Sequence, residues 1–201
     1  MHINQVEIED TFAEAFGMKV AKVIITAVNQ KWALTAAQTA TGFATSIIGC
    51  GCEAGITAML PPEKTPDGRP GVLALFFSTS TKELEKQLLN RLGQCVMTSP
   101  SSACYNGMES EKKVKIGGKL RYFGDGFQSS KVIDGRRFWR VPVMDGEFVV
   151  EESFGVGSCW RRKFFHSWGK SGESVGSSGN CCRSDARSSR DYHAISRWNR
   201  T

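Results

Sequence analysis

The stretch that decides the fold is KVAKVIITAVNQKWALTAAQTATGF, residues 19–43. Its first ten residues are β-branched and apolar, the composition of a buried strand. From Asn29 onward the composition shifts to helix formers, and the run stops at Gly42. A buried strand that feeds a helix requires a layered fold, because each element has an apolar face to cover.

The same alternation continues on both sides. INQVEIED (3–10) sets Ile3, Val6 and Ile8 among polar residues, a short strand. In DTFAEAF, Thr11 stands three residues before Glu14, a capping-box spacing that predicts a short helical turn. TSIIGCGC (45–52) reads as another strand. LPPEKTPDGRPG (60–71) packs four prolines and two glycines into twelve residues and must be a loop. VLALFFS (72–78) is a central strand. In TKELEKQLLNRLG (81–93), Leu84, Leu88, Leu89 and Leu92 share one face, and the helix closes at Gly93.

The segments KLRYFGDG, KVIDGRRFWRVPV and MDGEFVVEESF read as a β-meander. Asp134-Gly135 and Asp145-Gly146 mark its turns, since type I′ hairpins need positive φ at both central residues. The expected fold class is α+β, a ferredoxin-like sandwich lobe with an antiparallel sheet and helices on one face. It spans residues 1–156 and is followed by a disordered tail, 157–201.

The tail carries the charge asymmetry. The net charge is +6. Residues 157–201 hold nine Lys/Arg against three acids, while 17 basic and 17 acidic residues balance in 1–156. The basic pI therefore says nothing about partners of the body. No apolar run approaches the roughly 20 residues of a membrane span. The acidic N-terminus lacks signal-peptide order, so a cytoplasmic protein is expected. Seven cysteines is an odd number and no secretory signal accompanies them, which argues against a disulfide framework.

Chemistry is sparse in the body. Cys50 and Cys52 form a CGC pair without the further ligands a zinc site needs, so buried, inert thiols are expected and no metal. The glycine-rich loops match neither a P-loop nor a dinucleotide fingerprint. With His2 the only body histidine, nucleophile activation by an imidazole has little support. Trp32 reads as core. For Asp67, Gly68 and Arg69 two readings stand: a carboxylate and a guanidinium presented in a cleft, or a solvated turn. Long loops in compact domains are often functional.

Several segments, in order along the body, carry a resemblance: VEIEDTFAEAF (6–16), KWA (31–33), ATGF (40–43), EAG (53–55), TPDGRPGV (65–72), LLNRLGQCVMT (88–98), FGDGFQ (123–128) and GEFVVEESFG (146–155). Together they resemble the formyltransferases that move a formyl group from formylmethanofuran to tetrahydromethanopterin in archaeal one-carbon metabolism. The resemblance implies a cytoplasmic homo-oligomer of two α+β lobes, without metal or prosthetic group, whose substrates are these two coenzymes. It implies substrate-binding roles for Asp67, Arg69 and Asp125, basic residues being suited to the carboxylates and phosphate of the coenzymes. The catalytic residue stays unassigned, because the proposed catalytic carboxylate belongs to the second lobe of the family.

After ESFG the family pattern stops, and CWRRKFFHSWGKSGESVGSSGNCCRSD (159–185) follows. The composition fits a change of reading frame near Gly157. Trp has one codon, TGG, so a one-base shift turns Trp160 and Trp168 into Gly. The stretch through Ser171 is then able to spell GGENFFIVGESQ, similar to the continuation of the family. This reading makes the chain a truncated member, active alone, active with a polypeptide supplying the second lobe, or a non-catalytic remnant or partner subunit of a full-length homologue. Two rivals remain: a Ser/Arg arm that binds nucleic acid, and a zinc site from Cys159, His166, Cys181, Cys182 and His193, whose spacing fits no common pattern.

Overall fold

The computed structural model describes residues 2–3, 6–7, 15–144 and 146–162. The elements run β1 (His2–Ile3), β2 (Val6–Glu7), β3 (Ala15–Thr26), α1 (Gln30–Thr41), α2 (Ile47–Cys50), β4 (Glu53–Leu60), β5 (Gly71–Ser78) and α3 (Thr81–Arg91). A π-turn (Leu92–Val96) extends α3. Then come β6 (Ala103–Asn106), β7 (Lys113–Lys115), α4 (Gly117–Leu120), β8 (Ser129–Ile133), β9 (Arg136–Val143), β10 (Gly146–Glu151), β11 (Ser153–Gly155) and β12 (Gly157–Arg162).

The β3–α1–β4–β5–α3–β6 series gives the sheet order β4-β5-β3-β6, with every neighbour antiparallel. This is the split βαββαβ arrangement of a ferredoxin-like lobe. The meander β8–β9–β10 widens the sheet, and β10 joins β6 in parallel. The sheet is antiparallel as expected except for this one parallel pair. The pair arises because a long crossover, not a tight turn, separates the two strands.

Residue alternation in β3 assigns its faces. Ala21, Val23 and Ile25 are fully buried and pack with Ala33, Ala36, Ala37 and Ala40 of α1 and Leu84, Leu88 and Leu92 of α3. Small alanines at helical spacing let α1 lie close on the sheet. The opposite face of β3 carries Lys22, Ile24 and Thr26. There Ile24, Ala103, Tyr105, Ile133, Phe138 and Val149 form a second cluster, in which Tyr105 meets Phe138 edge-on at 6.1 Å.

Several expectations are corrected. The strand expected over 45–52 is a short helical turn. The Cys50 N–H donates to Ser46 O at 2.8 Å and the Gly51 N–H to Ile47 O at 3.0 Å, and Gly51 adopts φ 73°. The chain must turn there to pass from α1 into β4, and this outweighs the strand preference of two isoleucines. The strand expected over 119–126 is α4 followed by a 3₁₀ turn, Arg121–Gly124. The N–H groups of Ile116 and Gly117 both donate to Glu152 O and bend the chain.

The helix expected to close at Gly93 continues as the π-turn to Val96. Trp32, read as core, is 38% exposed, because α1 spends its sheet-facing positions on alanines. In the second hairpin Gly146 already pairs with Val143 and belongs to the strand, not to the turn; Asp145 lies outside the described residues. The first hairpin is as expected, with positive φ at Asp134 and Gly135. Residues 8–14, and with them the capping box, lie outside the described residues, while Ala15 and Phe16 belong to β3.

Strand order also moves the expected boundary at 156. Gly157–Arg162 pair with Ala15–Val20 of β3. Strand pairing uses the main chain, so it tolerates the change in composition that marks this segment. Residues 163–201, which carry most of the expected tail and the remaining residues of the rival zinc site, lie outside the described residues.

Candidate functional site

The proline-rich loop between β4 and β5 folds onto the face of the sheet opposite α1 and α3. It does so through one carboxylate. The Asp67 side chain is fully buried, and its Oδ2 accepts from the Thr26 hydroxyl at 2.7 Å and the Tyr105 hydroxyl at 3.1 Å. Arg69 Nε donates to the same oxygen at 2.7 Å, and the Arg69 backbone N–H donates to Oδ1 at 3.2 Å. A buried carboxylate needs this many donors, since its desolvation costs several kcal/mol or more when unpaired.

The arginine is held from a second side. Nη1 donates to Ser101 O at 2.5 Å and Nη2 to Thr26 Oγ1 at 3.2 Å, while Nη2 also lies 2.7 Å from Asp67 Oδ2. Ser101 sits at φ 58°, unusual for a residue with a Cβ. The loop closes on itself where Thr65 Oγ1 donates to Arg69 O at 2.6 Å. Burial, then the neighbouring Asp67 charge, pushes the Tyr105 phenol well above its ordinary pKa, so Tyr105 stays a donor.

Of the three residues singled out in sequence, the structure thus joins Asp67 and Arg69. Asp125 stands apart on an exposed turn at φ 48°, between Gly124 and Gly126. Around it Tyr122, Phe123 and Phe127 are exposed, and the Arg121 guanidinium lies over Tyr122 and Trp139. Sequence reasoning missed Thr26, Tyr105 and Ser101. Only the polar ends of apolar strands marked the first two, and no local pattern links them to the loop.

A second buried pair lies on the same sheet face. Glu151 accepts from Arg136 Nε at 2.7 Å and from the Asn106 backbone N–H at 2.8 Å. Arg136 also meets the ring of Phe138. Each charge of the pair is spent on a partner, which fits anchoring of β9 and β10 more than chemistry.

The cysteines divide by environment. Cys52 is buried as expected, whereas Cys50 is half-exposed, which corrects that half of the expectation. Hydrogen bonding from the Ser46 backbone leads in lowering the Cys50 pKa, and burial raises those of Cys52 and Cys104. A lower pKa means more thiolate, the reactive form. Iodoacetamide at pH 8 followed by mass spectrometry is therefore expected to label Cys50 well before Cys52 and Cys104; equal rates would contradict this. Among the described residues no group of three or more His, Cys, Asp or Glu side chains is placed to hold a metal ion. Nor is any helix among them long and apolar enough to cross a membrane.

The sequence model of the formylmethanofuran-tetrahydromethanopterin formyltransferases matches residues 1–143. The chain belongs to this family. The formylmethanofuran–tetrahydromethanopterin formyltransferase of Methylococcus capsulatus is 59% identical over 156 residues, which cover 78% of this chain and 52% of the relative.

Solved structures of the family agree. The Methanosarcina barkeri formyltransferase superposes with TM-score 0.73 and 51% identity, over 80% of this chain and 54% of that one. The formyltransferase/hydrolase complex of Methylorubrum extorquens, solved with methylofuran, gives TM-score 0.74 and 52% identity over 78% of this chain and 52% of that one. This family chain therefore spans about half the length of the curated relatives it matches. The archaeal setting expected from sequence is too narrow, since bacteria also carry family members.

Proposed function

We propose that the chain serves formyl transfer from formylmethanofuran to tetrahydromethanopterin. The observation that carries this is the family match through residue 143, supported by a lobe that superposes on solved members. In this reaction the pterin amine attacks the formyl carbon and a tetrahedral oxyanion forms. Collapse breaks the bond to the methanofuran nitrogen, and the proton lost by the attacking amine passes to the departing one. Such chemistry needs oriented substrates, donors aimed at the oxyanion and a carboxylate to carry the proton. In this reading Arg69 anchors a substrate anion, Asp67 orients it, and Asp125 offers a carboxylate at the exposed turn.

A second reading is favoured by the break in the family pattern after Gly155. The chain acts as a non-catalytic remnant or as a subunit associated with a full-length homologue. In either case a cytoplasmic setting and homo-oligomerisation of the family kind are part of the proposal. A change of reading frame near Gly157 accounts for the break in family pattern there, and sequencing the gene across codons 156–159 tests it.

The functional test is formyl transfer between the two coenzymes, assayed with the purified chain alone and with a full-length homologue added. Turnover by the chain alone supports the first reading. Co-purification without turnover supports the second. Neither turnover nor association would reject both transfer activity and the subunit role, and leave the non-catalytic remnant.

A further inference from the structure

We infer that Thr26 and Tyr105 are positioning residues that hold Arg69 as an anion-binding group through Asp67. The inference rests on the reading that the Asp67–Arg69 loop belongs to the substrate site, and it names the chemistry recognised there: a carboxylate or phosphate.

The geometry separates what is buried from what is offered. Asp67 has no exposed side-chain surface, while Arg69 keeps 26% of its side chain exposed. Three of the guanidinium N–H groups are committed to Asp67, Thr26 and Ser101. Arginine carries five such donors in a rigid plane. Fixing the plane from the buried side thus sets the direction of the donors that none of these bonds uses.

Thr26 does two things at once: its hydroxyl donates to Asp67 and accepts from Arg69. Tyr105, from the neighbouring strand, supplies the second buried hydroxyl. Neither hydroxyl is needed to fill the sheet, since Val and Phe have nearly the same shapes. A buried ion pair is also weak as a stabiliser compared with apolar packing. What the network does supply is orientation, which a mobile arginine on a loop would lack.

The test follows the Arg69 Nε–H signal by NMR in protein labelled with ¹⁵N-arginine, titrated with inorganic phosphate at constant ionic strength. The signal is identified by its loss in Arg69→Lys. Wild type is expected to show a saturable shift. Thr26→Val and Tyr105→Phe are each expected to weaken phosphate binding about tenfold and to speed Nε–H exchange, while Thr26→Ser, which keeps the hydroxyl, restores both.

If the two variants bind phosphate as wild type does, the positioning role is wrong although the anion site stands. If wild type shows no saturable shift, or Arg69→Gln shifts the other signals as wild type does, the anion site itself is wrong. Should Thr26→Val fail to fold, Tyr105→Phe and Thr26→Ser carry the comparison.

Discussion

Asp67→Ala is expected to destabilise the lobe by about 3 kcal/mol, the low end of what breaking a buried ion pair costs. The low end applies because Arg69 is partly exposed and regains some hydration. The cost comes from what is left behind. Thr26 and Tyr105 keep buried hydroxyls without their acceptor, and the guanidinium keeps its charge without its counter-ion. A loss of this size lowers the melting temperature of a domain of about 150 residues by about 10 °C. Thermal and urea unfolding measure it. A change under 1 kcal/mol would mean that water replaces the carboxylate, and that the loop is held by its prolines and by Thr65 alone.

Gly155→Ala is the second large effect, also expected at about 3 kcal/mol, the upper part of the usual overpacking range. A Cβ at this position would lie 2.1 Å from the Met108 carbonyl oxygen, a main-chain atom with no rotamer to yield. The same glycine donates its N–H to Asn106 Oδ1 at 3.0 Å, an oxygen that also accepts from the Met108 N–H at 3.2 Å. Moving β11 away to admit a methyl group would therefore break the side-chain bridge that ties β11 to β6. Gly135→Ala provides the contrast. Its φ of 74° is strained for alanine, but no atom lies within 4 Å of the added Cβ. About 1 kcal/mol is expected there. Equal losses at the two positions would show that backbone strain, not the Met108 contact, sets the cost.

These two substitutions lie in segments, TPDGRPGV and GEFVVEESFG, whose resemblance to the family was legible in the sequence. Their physical reasons were not. The leucines of α3 and its π-turn were placed correctly because helical spacing is a local property: Leu84, Leu88 and Leu92 recur at i+4 and are buried, and Leu89 packs partly buried against the same core. Trp32 was misplaced because aromatic size says nothing about which side of a helix meets the sheet. The strand expected at 45–52 failed for a similar reason. Ile47 and Ile48 favour strands as residues, yet Ile48 ends 88% exposed on a helical turn whose course is fixed by the neighbouring elements.

Sequence alone determined what depends on neighbours within a few positions. This covers the buried central strand, the two long helices, the loop expected over 60–71 apart from its two end residues, which belong to β4 and β5, the first hairpin, the neutral charge of the body and the family to which it belongs. Tertiary structure alone decided what depends on the order of strands in the sheet. Thr26 and Asp67 are 41 positions apart, and Tyr105 and Asp67 are 38 apart. They meet because β3 sits between β5 and β6, which brings the ends of all three strands under one loop. Hydrogen bonds act over about 3 Å and carry no trace along the chain between their partners. The partners of Asp67 and Arg69 therefore became visible only once the sheet had assembled.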